Sequence, residues 1–299
     1  SGKVKPLLAA SGNNPNTAFA DFYNRQLYAD HPRSGVLPTQ AQMDALSFDR
    51  AYAINREHFG NANGFTFVLV GAFDLDKAKA LATRYIGGLP SDVSKTFNAV
   101  DTGMRPIKTS RRVDFSKGSE PKSTTLLKYT GEIEHYDLAE DFKLYLLEEV
   151  LKIKLTESLR EQLSGVYTVG VGSEYARQPY PNYSITLTIP SAPENVDALV
   201  AAAKKEIDTL RRQGPSPVDF AKVKQNYLTG LAIRQKENSY WLGKLAQFDE
   251  NGMDPALIPD YNRKLLAAMT IGDLQQAAAR YFDPQRVFEA VLKPETASP

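Results

Sequence analysis

The sequence predicts an α+β fold, an antiparallel sheet packed with helices, and three observations carry that expectation. Short apolar, β-rich runs stand at 123–129, 166–173, 183–189 and 286–292. A long helix with a leucine stripe lies between the first two of them. The remaining helices gather in a block instead of alternating singly with strands. A hairpin followed by blocked helices favours an antiparallel sheet over a doubly wound parallel one.

The elements read in order. Residues 17–58 are mostly helical, with an amphipathic stretch around 19–28 broken at His31-Pro32, because a residue before proline is pushed out of the helical region. A second helix is expected from about Gln40 to His58. Residues 65–70, Phe-Thr-Phe-Val-Leu-Val, form a run suited to a buried strand. It turns at Gly71 into Asp74, a helix N-cap. The helix that follows presents Leu75, Ala78, Leu81, Ala82 and Tyr85 at three- and four-residue spacing and stops at Gly87-Gly88, with Pro90 beyond.

From Ser91 to about Lys122 the composition turns polar, and an inter-domain linker with one short strand at 111–115 is expected there. A strand at 123–129 precedes a helix from about Asp137 to Leu163, striped by Leu144, Leu147, Leu151, Leu155 and Leu159. The strands 166–173 and 183–189 are joined through Pro179 and Pro181. Helices follow at about 194–212, 217–237, 240–249, 256–268 and 272–281, and a last strand at 286–292.

Composition excludes several functions. The chain has 299 residues, enough for about two domains, with 42% hydrophobic and 24% charged residues and a net charge of +1. That balance gives no long-range attraction to nucleic acid or to an anionic membrane. No apolar run reaches the roughly 18–20 residues that cross a bilayer. With no cysteine there is no disulfide, thiolate metal site or cysteine nucleophile. The opening Ser1-Gly2-Lys3 lacks Met and an apolar signal core and reads as a cleavage scar. The sequence is therefore expected to be an excised piece of a longer protein.

Three histidines frame the metal question. His58 follows Glu57, as in the inverted zinc motif H-x-x-E-H, but the other ligand position is Ile54, which cannot coordinate a cation. His31 precedes Pro32 in a loop and reads as a turn histidine. His135 lies in Glu132-Ile133-Glu134-His135-Tyr136-Asp137, read as a helix lead-in with Asp137 as cap. The sequence predicts no self-sufficient zinc site. No phosphate loop, G-x-S-x-G elbow or dinucleotide fingerprint appears either. Glu148-Glu149 is expected on the exposed side of the long helix.

One constellation remains, Arg160 on the last turns of that helix and Tyr167 near the start of the next strand, with Ser164-Gly165 between them. A guanidinium and a phenol brought to one sheet edge suit a peptide carbonyl whose oxygen gains negative charge in hydrolysis. A fixed donor there contributes about 2.7–4 kcal/mol. On spacing alone the blander roles prevail, with Arg160 satisfying the helix C-terminus and Tyr167 packing.

At this point the chain resembles the pitrilysin/insulinase family of zinc metallopeptidases, the inverzincins, which include the mitochondrial processing peptidases. The likeness rests on Phe67 to Asp76 with Tyr85-Ile86-Gly87-Gly88-Leu89-Pro90, similar to the family's "VVVGD-D…YFG-LP" segment. It rests also on Tyr28-Ala29-Asp30-His31-Pro32 and on Leu159-Arg160-Glu161 through Gly165-Val166-Tyr167, the R-x6-Y pair. Glu237-Asn238 and Trp241 in the helical tail extend it over most of the chain.

The resemblance implies a mitochondrial-processing-peptidase-like fold. It implies that residues 1–92 are the C-terminal part of one peptidase-like domain, 93–122 a linker, and 123–299 a complete C-terminal domain. It further implies that Arg160 and Tyr167 position the substrate carbonyl opposite Zn2+ held by another half or a partner subunit, the half that carries H-x-x-E-H. Peptide would be the substrate, and no metal or other cofactor would be bound by this chain. A bacterial periplasmic setting is implied by analogy. Because H-x-x-E-H is absent here, the chain alone is expected to be inactive. The alternative expectation is a non-catalytic scaffold or interaction module.

Overall fold

The computed structural model describes residues 10–95, 98–162 and 169–295, with side chains of 160–162 excluded. The chain divides into two compact units. One draws on Ser1–Pro38, Val100–Lys224 and Ala268–Pro299, the other on Thr39–Ala99 and Gln225–Ala267.

The first unit is built on a five-stranded sheet of β1 (Arg111–Ser116), β2 (Ser123–Glu132), β3 (Gly170–Ala176), β4 (Asn182–Ser191) and β5 (Val287–Lys293), in the order β1-β5-β2-β4-β3. All neighbours are antiparallel except β1 and β5, which run parallel from Arg111 opposite Phe288 to Ser116 opposite Lys293. The expected α+β antiparallel class is therefore observed. The short strand expected at 111–115 forms one edge of this sheet.

Alternation along the strands sends side chains to two faces. On one face Phe288, Ala290, Leu292 and Leu126 pack with Phe19 and Leu27 of helix α1 (Pro15–Leu27). The other face carries Leu127 and Tyr129. It meets α6 (Val196–Gln213) and α10 (Ile271–Tyr281), while the long helix α5 (Leu138–Gln162) packs on β3, α6 and α10. The whole leucine stripe of α5 is buried, and so are Leu146 and Val150 off the stripe. A helix covered by a strand on one side and by helices on another needs more apolar positions than a single stripe supplies.

The second unit contains α2 (Gln40–Asp44), α3 (Phe48–Phe59), α4 (Leu75–Tyr85), α7 (Pro217–Arg234) from Gln225 onward, α8 (Asn238–Glu250) and α9 (Tyr261–Ala268). The single helix expected over 40–58 is two helices. Thr39 and Gln42 close a capping box on α2, and Ser47 accepts from the Arg50 amide at 3.2 Å to start α3 afresh. As expected, Asp74 caps α4 by accepting from the Lys77 amide at 2.9 Å. The strand expected at 65–70 does not form. The segment is extended, but strand pairing needs a neighbour, and it has none among the described residues.

Candidate functional site

The site foreseen from the sequence centres on Arg160 and Tyr167. The backbone of Arg160 lies in the last turn of α5. Its side chain, and Tyr167 altogether, lie outside the described residues. What the structure describes is the frame on either side of them.

That frame is anchored at both ends. Leu159 is buried at the helix exit, and Val169 and Val171 are buried where the chain enters β3. Ser173 on β3 donates its hydroxyl to Glu148 Oε2 at 2.6 Å, and Tyr175 donates to the His135 carbonyl at 3.5 Å. These contacts run β3 back along α5 toward the helix N-terminus. From Glu148 to Gln162 the helix advances about 21 Å at 1.5 Å per residue. From Ser173 back to Gly170 the strand recedes only about 10 Å. α5 thus continues almost four turns beyond its contact with Ser173, and the backbone of Arg160 lies in the last of them.

Glu148 corrects the sequence reading. Its side chain is only 11% exposed, and it takes Lys152 at 2.6 Å besides Ser173. Glu148 stands four residues after Leu144 and three before Leu151, so it lies on the leucine-striped face itself, where the helix meets the strand. Burial disfavours the charge of Lys152, but Glu148 and Glu149 outweigh it and hold its pKa above the usual lysine value.

The face of β3 opposite Ser173 is open and polar. A Cβ added at Gly172 would meet nothing within 4 Å. Gly172 lies in register with Thr186 of β4, which is in register with Lys128 of β2. Burial lowers the pKa of Lys128, partly offset by Glu174.

The histidines have local roles. His31 Nδ1 accepts from the Arg33 amide at 3.2 Å, and its Nε2 lies 3.2 Å from the Thr102 carbonyl. It is a turn histidine, as expected. His58 stands in the last turn of α3, where a basic group suits the helix dipole. Asp137 caps α5, accepting from the Ala139 amide at 2.6 Å. Among the described residues no three His, Cys, Asp or Glu side chains gather where they could hold a metal ion. A zinc ion does not fit any site described in this chain. Nor is any described helix long and apolar enough to cross a membrane.

A helix-backed, mostly antiparallel sheet, its edge strand entered through an Arg-x6-Tyr segment, is the architecture of a peptidase-like α+β domain. The sequence matches the family described as the Peptidase M16 inactive domain over residues 46–227, more than half of the chain. The chain belongs to that family, the C-terminal portion of the pitrilysin/insulinase zinc metallopeptidases. It is 26% identical over 300 residues to the probable zinc protease PqqL of Escherichia coli (strain K12), a match covering 96% of this chain and 30% of that protein.

Two solved structures share the fold. The periplasmic protease PqqL from Escherichia coli superposes with a TM-score of 0.80 at 23% identity, covering 97% of this chain and 32% of its own. A peptidase M16 inactive domain from Pseudomonas fluorescens superposes with a TM-score of 0.77 at 15% identity, covering 100% of this chain and 71% of its own.

Proposed function

We propose that this chain is the substrate-positioning, C-terminal portion of a zinc metalloendopeptidase whose metal is held by another half or a partner subunit. Arg160 and Tyr167 donate hydrogen bonds to the scissile peptide carbonyl as its oxygen becomes negative. The guanidinium stays charged at any working pH and presents several N–H donors in a fixed plane, and the phenol adds one O–H. Extended peptide is the substrate class, and the periplasm of a bacterium the setting. The observation that carries this reading is the R-x6-Y segment at the exit of α5 and the entry of β3, in a chain of the M16 family.

The test is made in the full-length parent. Arg160→Ala and Tyr167→Phe should each lower kcat by on the order of 10²–10³, the effect of one oxyanion donor, with circular dichroism unchanged. Full turnover in both variants would sink the assigned roles. The second reading, a non-catalytic scaffold, is favoured by the family's description as an inactive domain and by the lack of a metal-ligating cluster among the described residues. It predicts a parent without peptidase activity.

A further inference from the structure

Residues 46–93 make secondary structure without making a core. Not one apolar side chain between 39 and 95 is buried, whereas most of the exposed large apolar side chains among the described residues fall in this segment. Phe48, Phe59, Leu75 and Val93 are all bare, Leu75 being 74% exposed. A soluble chain rarely leaves so much contiguous apolar surface in water without a partner for it.

The bare surface has a definite form. Leu69, Phe73, Ala78, Leu81, Ala82 and Tyr85 line an open groove of about 380 Å³. The α4 members recur at three and four residues, so one whole stripe of that helix is uncovered. Beside it, Phe67 and Leu69 are exposed while Val68 and Val70 are half-buried, the two-residue alternation of a strand. No backbone hydrogen bond among the described residues involves 66–70. An extended, β-branched and aromatic segment with unpaired amides, next to a helix with an uncovered apolar stripe, is one strand and one helix of a sheet-and-helix layer whose remaining strands lie elsewhere.

We infer that this face docks on a β-sheet supplied by polypeptide of the same parent outside these 299 residues. Residues 65–70 add to a free edge of that sheet, and the α4 stripe covers its apolar side. A helical partner would fill the groove but leave the amides of 66–70 unpaired, so a sheet fits both features. A parent of the length of the Escherichia coli relative, of which this chain covers only 30%, would hold the material for it. The inference is independent of the roles given to Arg160 and Tyr167, and its test uses no activity.

Amide hydrogen exchange is compared between the 299-residue chain and the full-length gene product. In the short chain residues 66–70 should exchange at the rate of an unprotected peptide, and in the full-length protein at least 100-fold more slowly. Leu69→Asp and Leu81→Asp should leave the Tm of the short chain unchanged and lower that of the full-length protein by several degrees. Equal exchange of 66–70 in both would overturn the inference. So would protection in the short chain alone accompanied by a concentration-dependent dimer in light scattering, which would make a second copy the occupant. If the aspartate variants of the full-length protein fail to fold, while the short-chain variants fold normally, the inference stands.

Discussion

Ser173 of the edge strand hydrogen-bonds Glu148 of α5 at 2.6 Å, and this contact fixes the strand that follows the Arg160–Tyr167 segment to the helix that precedes it. Glu148 keeps Lys152 as a second partner, so deleting the hydroxyl leaves the carboxylate half-satisfied instead of orphaned. Ser173→Ala should therefore cost about 1.5–2 kcal/mol, the lower part of the range for a hydrogen bond to a charged acceptor. Urea unfolding of the purified chain measures it. A cost below about 0.3 kcal/mol would show that the contact does not hold β3 in place.

Asp219 predicts an acid limit to stability. The carboxylate is buried near the start of α7, where Lys154 reaches it at 2.7 Å and the Ser216 hydroxyl donates to it at 2.5 Å. Burial alone would raise its pKa, yet the bonds to Lys154 and Ser216 prevail and set it below the ordinary 3.8. A depressed folded pKa means that the unfolded chain binds the proton more readily. The stabilisation is thus complete above pH 3.8 and fades as pH falls through the folded value. Asp219→Asn should cost about 1–3 kcal/mol at pH 7, and the gap to the wild type should narrow below pH 4. Parallel stability-versus-pH curves for the two proteins would refute the assignment.

The parts of the fold that could be read in advance are those whose cause is local. Asp74 and Asp137 sit at helix starts because a short acidic side chain reaches the first unpaired amides, and that signal is in the residue itself. The five leucines of α5 announce the face that meets its neighbours. What could not be read depends on what lies across from a residue. Glu148 carries a surface residue's charge on the leucine-striped face of α5, and it is the Ser173 hydroxyl across from it, with Lys152, that accommodates the carboxylate there. Residues 65–70 carry every mark of a strand, but a strand also requires a partner. The break at Ala45–Ser47 is not legible in the sequence, because Ser47 resembles any surface serine until its hydroxyl caps α3. For the candidate site only spacing is legible in the sequence, and the structure adds the frame on either side of it, Leu159 buried at the exit of α5 and Val169 and Val171 buried at the entry of β3.

Glu289 is a buried carboxylate in the middle of β5, and two cations reach it from different elements, Lys204 of α6 at 2.7 Å and Arg112 of β1 at 3.0 Å. Removing one cation leaves the other in place, whereas removing both strands a charge in the interior, a cost of about 3–5 kcal/mol. Lys204→Ala and Arg112→Ala should each cost about 1–2 kcal/mol, and the double variant more than their sum. The coupling is read from a double-mutant cycle in chemical denaturation. Simple additivity would mean that the two cations do not share the carboxylate.

Gly131 near the end of β2 tests how tightly the aromatic cluster behind the sheet is packed. A Cβ placed there would run into the ring of Tyr183, touching its Cε1 and lying 2.7 Å from its Cζ. Tyr183 has little room to yield, because it is buried and packs edge-on against Tyr281 with ring centroids 4.8 Å apart. Tyr281 is itself held by donating to Glu140 Oε2 at 2.8 Å. Gly131→Ala should therefore destabilise by about 1–3 kcal/mol, the range for overfilling a packed interior. Gly172→Ala, where the added methyl enters open space, should change stability by less than about 1 kcal/mol. In a Tyr183→Ala background the Gly131 substitution should lose most of its cost, because the obstructing ring is gone. If Gly131→Ala is as harmless as Gly172→Ala, the aromatic cluster is looser than its geometry implies, and the anchoring of α10 to the sheet through Tyr281 must be reassigned.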